Sequence, residues 1–244
     1  MTSDPEDLRE PGVALWRRIV RVIEGGIADG SDPPGARLPT EAQLAQRFGV
    51  NRHTVRRALE ELSRNGLVRI EQGRGSFVAE DVLDYAVSAR TRFSEWIRRH
   101  NKEPSGRTLE LRQIAADATV AAGLGLRAGA AVVWMERLGL ADGRPVSLGS
   151  HYFPAGLLPG LLAALAASDS ITAALASVGV ADYRRQVTRV TARLPGAEEA
   201  ALLAMPRNRP VLVTENINVD DRGAVVEFGV ARYPTPRVQI VFEP

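Results

Sequence analysis

Hydrophobic positions in the first 80 residues recur at helical spacing. Leu15, Trp16, Ile19, Val20, Ile23 and Ile27 share one stripe and predict an amphipathic helix over residues 13–28, ended by Gly30 and the Pro33-Pro34-Gly35 turn. Thr40 then reads as the N-cap of a second helix, with Gln43 at its third position completing a capping box. Leu44, Ala45 and Phe48 supply the buried side of that helix, and Gly49 stands where a C-cap glycine belongs. Asn51 caps a third helix that turns Val55, Ala58, Leu59 and Leu62 inward and displays Arg52, His53, Thr54, Arg56 and Arg57 at its N-terminal end. Asn65-Gly66 stops it, and residues 67–71 and 76–78 alternate like strands around Gly73-Arg74-Gly75. Two short helices joined by a tight glycine turn, followed by a glycine-bounded hairpin, predict a winged helix-turn-helix domain over residues 1–78. In that geometry the second of the two helices meets base edges in the major groove, and an arginine-tipped wing suits the minor groove.

Residues 79–90 carry mixed charge and few large apolar side chains, so they read as a linker to a second domain over residues 91–244. There the pattern changes to strands at residues 107–114, 131–141, 144–153, 184–194, 211–219, 224–233 and 237–242. Short helices are expected at residues 93–99, 117–122, 156–166, 170–178 and 197–203. Asp142-Gly143 and Asp221-Arg222-Gly223 join neighbouring strands as hairpins, which predicts an antiparallel sheet flanked by helices and an α+β chain overall.

Composition adds exclusions. Hydrophobic residues make up 45% of the 244 and charged residues 25%, an ordinary globular balance. No apolar run approaches the roughly 20 residues of a membrane span, and the polar N-terminus lacks a signal-peptide pattern, so a cytoplasmic protein with no membrane partner is expected. With no cysteine and three scattered histidines (His53, His100, His151), neither a metal nor any other cofactor is expected. Between Arg37 and Val78 eight arginines face four glutamates, a basic patch suited to nucleic acid. Gly123-Leu124-Gly125-Leu126-Arg127-Ala128 matches a relaxed dinucleotide fingerprint, but it follows a helix pattern and precedes a strand, the reverse of what such a site needs. Nothing assembles a nucleophile, a base and an orienting group, so no enzyme is expected.

The stretch LPTEAQLAQRFGVNRHTVRRALEELSRNGLVRIEQGRGSFV resembles the DNA-binding domain of GntR-type bacterial regulators, without a gap from Gly35 to Val78. That resemblance implies base or phosphate contacts by Arg52, Thr54 and Arg56, with His53 a fourth. It implies a cap and phosphate contact at Thr40, and minor-groove entry by Gln72, Gly73 and Arg74. Arg57 and Arg64 read as solvated surface arginines. From about Phe93 onward the order of elements resembles the ligand-sensing domain of the HutC branch, whose fold is similar to chorismate lyase. The landmarks are Glu136-Arg137-Leu138, Ala141-Asp142-Gly143-Arg144-Pro145, Tyr152-Phe153-Pro154, and Glu227 with Tyr233. Within that branch, Asn51-Arg52-His53-Thr54 with Arg92-Phe93-Ser94, and His151-Tyr152-Phe153 with Arg185, Thr188, Arg189 and Arg193, look most like regulators of phosphonate utilisation. The implied function is a homodimeric repressor on palindromic double-stranded operator DNA, released by a small effector.

Phosphate and phosphonate groups call for guanidinium forks and helix-start amides. Arg92, Arg137, and Ser170 with Thr172 at a helix start fit that demand, with Phe93, Ser94 and His151 as further effector candidates. Glu227 and Tyr233 would serve the neutral or cationic end. Relatives often carry an arginine and a glutamate where this chain has Gly139 and Gly149, which puts a sugar-phosphate ligand in doubt and is expected to open space. Several readings stay open. Arg137 could pair with Glu227 across neighbouring strands, and His151 could be a structural histidine. Arg185, Arg189 and Arg193 alternate on one strand face and could be a solvated ladder, a dimer contact or a ligand wall. Trp134 and Met135 read as core. A chorismate-lyase-like enzyme and a sequence-unspecific DNA-binding protein are the competing functions.

Overall fold

The computed structural model describes residues 14–80, 82–90 and 92–242. Val13, the expected first residue of the opening helix, lies outside them, as do Asp81 and Thr91 near the ends of the expected linker. The chain divides into two compact units, Met1–Asp81 and Val82–Pro244.

The first unit packs α1 (Leu15–Ala28), α2 (Glu41–Phe48) and α3 (Arg52–Arg64) against a hairpin of β1 (Val68–Glu71) and β2 (Gly75–Val78). Its core is the expected helical stripe: Ile19, Val20, Ile23, Leu44, Val55, Ala58, Leu59 and Leu62, closed by Leu38, Val68 and Val78. The capping box forms: the Thr40 hydroxyl accepts from the Gln43 amide at 3.3 Å, and Gln43 Oε1 accepts from the Thr40 amide at 2.9 Å. Gly49 closes α2 in the left-handed region at φ 63°, where a side chain would be strained. The segment before α2 lines the wing, with the Leu38 amide donating to Ser76 O at 2.9 Å.

The second unit holds a six-stranded antiparallel sheet in the order β4-β5-β6-β9-β8-β7. Its strands are β4 (Pro104–Ala115), β5 (Ala131–Ala141), β6 (Arg144–Pro154), β7 (Tyr183–Arg193), β8 (Val211–Asp220) and β9 (Val225–Pro234). One face packs against α6 (Leu161–Ala166) and α7 (Ile171–Ser177) through Val133, Met135 and Phe153. The same face meets α4 (Phe93–Arg99) through Tyr233 and Trp96. Alternation sends Val132, Leu138 and Leu148 the other way, to α5 (Ala118–Leu124) and α8 (Ala197–Leu202). Helix α6 starts later than expected because Pro159 and Gly160, the latter at φ 83°, form a turn before it. Among the described residues no helix is long and apolar enough to cross a membrane.

The expected linker is only partly a linker. Residues Leu83–Ala86 form β3, paired in parallel with β10 (Val238–Val241), so this segment belongs to the second unit. Leu83 and Tyr85 are buried beside Trp96 and Val238, and the Trp96 indole donates to Asp84 O at 2.9 Å.

The fingerprint-like glycines find a packing explanation. A Cβ on Gly123 would stand 2.6 Å from the Phe228 ring, so the glycine lets α5 lie flat on β9. Gly125 is the left-handed C-cap of α5. On the same face an ionic network, buried at Arg232 and open to solvent at Arg193, ties the elements together. Arg232 pairs with Glu136 and donates to Ser150 Oγ at 2.7 Å, while Arg193 grips Glu199 through two bonds of 2.6 Å. The Arg193 fork holds the Glu199 carboxyl down to about 2, against the desolvation that opposes it.

Gly123→Ala is expected to cost about 1–3 kcal/mol through overpacking, read as a lowered urea midpoint with an unchanged slope. Because the Glu199 carboxyl titrates below its ordinary 4.5 in the folded protein, its stabilisation is present above pH 4.5 and lost as pH falls toward 2. Glu199→Gln should therefore flatten the fall of stability across that interval, and cost on the order of 1 kcal/mol at neutral pH after solvent screening. Urea titrations at stepped pH would measure both.

Candidate functional site

The first unit presents its polar surface at the start of α3. Asn51 caps the helix by accepting from the Thr54 amide at 2.9 Å, and the Thr54 hydroxyl donates to the same oxygen at 3.0 Å. Arg52 and His53, on the first turn, are exposed, beside free helix amides that favour an anion. Arg56 is differently employed: its guanidinium makes a two-pronged bond to Glu41, at 3.1 and 2.8 Å, which ties α3 to α2. That bond is the main reason the Glu41 carboxyl lies below its usual range. Arg57 stacks over the Trp16 ring at 4.6 Å and joins α3 to α1, a role its solvated reading missed. Arg64 pairs with Glu61 at 2.8 Å. In the wing, Gln72 and Gly73 are exposed at the turn, Gly73 at φ 72°, and Arg74 bonds Glu71 at 3.0 Å.

The effector candidates Arg137, His151, Glu227 and Tyr233 lie on the sheet face that α4, α6 and α7 cover, with Ser170 and Thr172 at the start of α7. Arg137, on β5, leans toward the β4 edge above Gly106, where a Cβ would come within 2.8 Å of its guanidinium. It donates to Thr108 Oγ1 at 3.1 Å and to the Asp169 carbonyl at 2.8 Å. No ion pair holds it among the described residues, and burial lowers its pKa while the Asp169 charge partly offsets this. Arg137 does not pair with Glu227: its row across the sheet runs through Gly149 to Ala231, four residues along β9 from Glu227. An ion pair between β5 and β9 is made on the opposite face instead, by Glu136 and Arg232 reaching across β6.

Glu227 is 5% exposed and both of its oxygens are taken. Oε1 accepts from His151 Nδ1 at 2.6 Å, and Oε2 accepts from Asn218 Nδ2 at 2.6 Å. Burial pushes the Glu227 carboxyl up, yet the His151 bond, the Asn218 bond and the Arg185 charge together hold it below its ordinary value. Tyr233 is also buried, its ring 5.0 Å from Tyr85, and burial raises its phenol well above the usual range. Arg92 lies 3.7 Å over the Tyr183 ring and donates to Tyr183 O at 2.5 Å. The Tyr183 hydroxyl meets Thr172 Oγ1 at 3.1 Å, and the Ser170 hydroxyl caps α7 by accepting from Ala173. Ser94 is exposed on the first turn of α4, apart from this cluster.

The glycines at 139 and 149 do not open space. A Cβ on Gly139 would stand 2.6 Å from the Phe93 ring, and one on Gly149 would stand 2.6 Å from His151 Nε2. The arginine ladder on β7 is broken as well. A register shift between Arg185 and Val187 turns Arg185 toward Asn218 and the site, and leaves Arg193 on the other face with Glu199. Arg185 donates to the Tyr85 hydroxyl at 2.8 Å, so β3 joins the cluster. Sequence reasoning missed Tyr85, Tyr183 and Asn218. The alternating polar run Thr214, Asn216, Asn218 was the available signal, for all three are buried within an otherwise apolar strand. Among the described residues no three His, Asp or Glu side chains gather as a metal site requires.

Comparison with known proteins agrees with both halves. Residues 15–78 match the gntR family of bacterial regulatory proteins, and residues 99–239 match the UTRA domain. An uncharacterized HTH-type transcriptional regulator of Rhizobium meliloti is 37% identical over 96% of this chain and 97% of its own. The HTH-type transcriptional repressor PhnF of Mycolicibacterium smegmatis is 30% identical, over 87% of this chain and 86% of its own. The crystal structure of PhnF from Mycobacterium smegmatis superposes with a TM-score of 0.63 at 28% identity, covering 92% of this chain and 98% of that one. The chain therefore belongs to the GntR family of bacterial regulatory proteins, as a DNA-binding transcription regulator rather than an enzyme, with a UTRA domain for a small-molecule effector.

Proposed function

We propose that the chain is a repressor that binds a palindromic operator as a homodimer and leaves it when a phosphonate or phosphate-ester anion occupies the sheet face around Arg137. The observation that carries the anionic part is Arg137 itself. A half-buried guanidinium with three N–H donors unused and no ion pair among the described residues is poised to take an oxyanion. The name of the Mycolicibacterium relative, a repressor, supports the direction of regulation. Two-fold symmetry follows from the reach of one winged helix, which covers a short half-site; two would sit about 34 Å apart on a palindrome. A coupling of about 1–3 kcal/mol between effector and operator would shift operator affinity roughly 5–150-fold.

On the DNA side, Arg52, His53 and Thr54 are assigned to base edges or phosphate, and Gln72, Gly73 and Arg74 to the minor groove. Thr40 adds a phosphate contact beside its capping bond. Arg56 would reach DNA only by sharing its fork with Glu41, so its first role is to hold the two helices at a fixed angle.

The deciding measurement is fluorescence anisotropy on the chain's own upstream DNA, with and without phosphonates, phosphate and sugar phosphates. Release by one compound supports the proposal; selective binding that none of them alters removes the anionic effector from it. Arg52→Ala is expected to cost about 1–3 kcal/mol of operator binding with little change on random DNA. An equal loss on both would reassign Arg52 to phosphate. Arg137→Ala should bind operator normally and fail to respond to the effector.

A further inference from the structure

Three arginines surround the outer face of the wing, and two of them share one carboxylate. Arg69 and Phe77 are register partners across the hairpin, and Arg37 bridges to Phe77 from the other side of β2, so the three side chains stand in one row. The opposite face is the core side, where Leu38, Val68 and Val78 are buried. Two residues along β1, Glu71 takes Arg69 at 3.1 Å and Arg74 at 3.0 Å, its own side chain only 10% exposed. Arg37 is exposed and has no ion pair among the described residues.

The place of Arg37 is nonetheless fixed. The Gly35 amide donates to Val78 O at 3.0 Å, the Leu38 amide to Ser76 O at 2.9 Å, and the Val78 amide to Ala36 O at 2.9 Å. Residues 35–38 thus run as a third line of the wing. The guanidinium lies on Gly75, where a Cβ would stand 3.2 Å from Nε and 3.4 Å from Nη2. Gly75 has φ 115°, so the turn requires glycine and the glycine in turn leaves a seat for the arginine. Three residues further on, the chain reaches Thr40, the N-cap of α2.

We infer that Arg37 is a phosphate contact: seated against the wing, its guanidinium takes a DNA backbone phosphate at the lip of the minor groove that Gln72, Gly73 and Arg74 enter. This rests on the reading of the wing given above and adds the residue that anchors it. The minor groove is about 6 Å wide, so a hairpin tip inside it brings its flanks against the phosphate rows on either side. A guanidinium presents its N–H donors as a fork that matches two phosphate oxygens. Arg69 and Arg74 share their forks with Glu71, whereas Arg37 breaks no ion pair when it binds. Phosphate contacts carry no sequence information, so Arg37 supplies affinity and register rather than base choice.

The test titrates the whole chain, by anisotropy over a series of salt concentrations, on its own upstream DNA and on a scrambled duplex of equal length. Arg37→Ala is expected to weaken both duplexes about tenfold, the loss of one hydrogen-bonded charge. The slope of log K against log salt should fall by about 0.9 for each bound protomer. Arg37→Lys, which keeps the charge, should keep most of that slope. Arg74→Ala is the control for the wing itself. Arg37→Ala binding like wild type while Arg74→Ala binds weakly overturns this inference alone. A loss confined to the upstream DNA makes Arg37 a base reader and overturns it too, as does Arg37→Lys losing the slope as fully as alanine. If both alanine variants bind like wild type, the reading of the wing falls and takes this one with it. An unchanged urea midpoint, expected for an exposed side chain, separates a lost contact from lost folding. Should Arg37→Ala unfold, Arg37→Gln, which keeps the reach without the charge, takes its place.

Discussion

The antiparallel pairing of β6 with β9 is the constraint on which the effector unit depends. These strands sit at the centre of the sheet, covered on both faces, so each polar side chain they carry must find a partner inside the protein. Alternation does the sorting. Ser150 and Arg232 fall on one face and complete an ion-pair network with Glu136 and Glu199. His151 and Glu227 fall on the other and meet each other. A slip of one residue would exchange these sets and leave charges facing apolar helices. The structural network and the candidate site are therefore held in place by the same ladder of backbone bonds.

Much of this was legible in the sequence because it is local. The caps of α2 and α3, the left-handed Gly49 and the hairpin wing are each decided within a few residues, and each stands where the pattern put it. The long strands of the second unit were legible for the same reason, from alternation bounded by turn residues. What escaped was non-local. The alternation of Leu83 and Tyr85 was too short to stand out, and the strand it forms pairs with one near the other end of the chain. One bulge on β7 reversed the facing of Arg185, which no periodicity could reveal.

The site was partly legible at the level of residues and poorly at the level of roles. Arg137, His151 and Glu227 were all singled out, yet the sequence suggested a pairing of Arg137 with Glu227 and a free Glu227. The register sets Arg137 in line with Ala231 rather than Glu227, and His151 and Asn218 take both Glu227 oxygens. The glycines at 139 and 149 illustrate the difficulty. Absence of a side chain reads as empty space in a sequence, whereas in a packed interior a neighbour fills it, here the Phe93 ring and the His151 imidazole.

The parallel pairing of β3 with β10 also sets an order of assembly. Every strand and helix of the winged unit is complete within the first 80 residues, so that unit can close while the rest of the chain is still being made. The effector unit cannot. Its first strand must wait for Val238–Val241 before either has a neighbour, and the cost of closing so long a loop falls only once that strand has been made. A nascent chain of this protein can thus carry a folded DNA-binding unit before its second unit has all its strands.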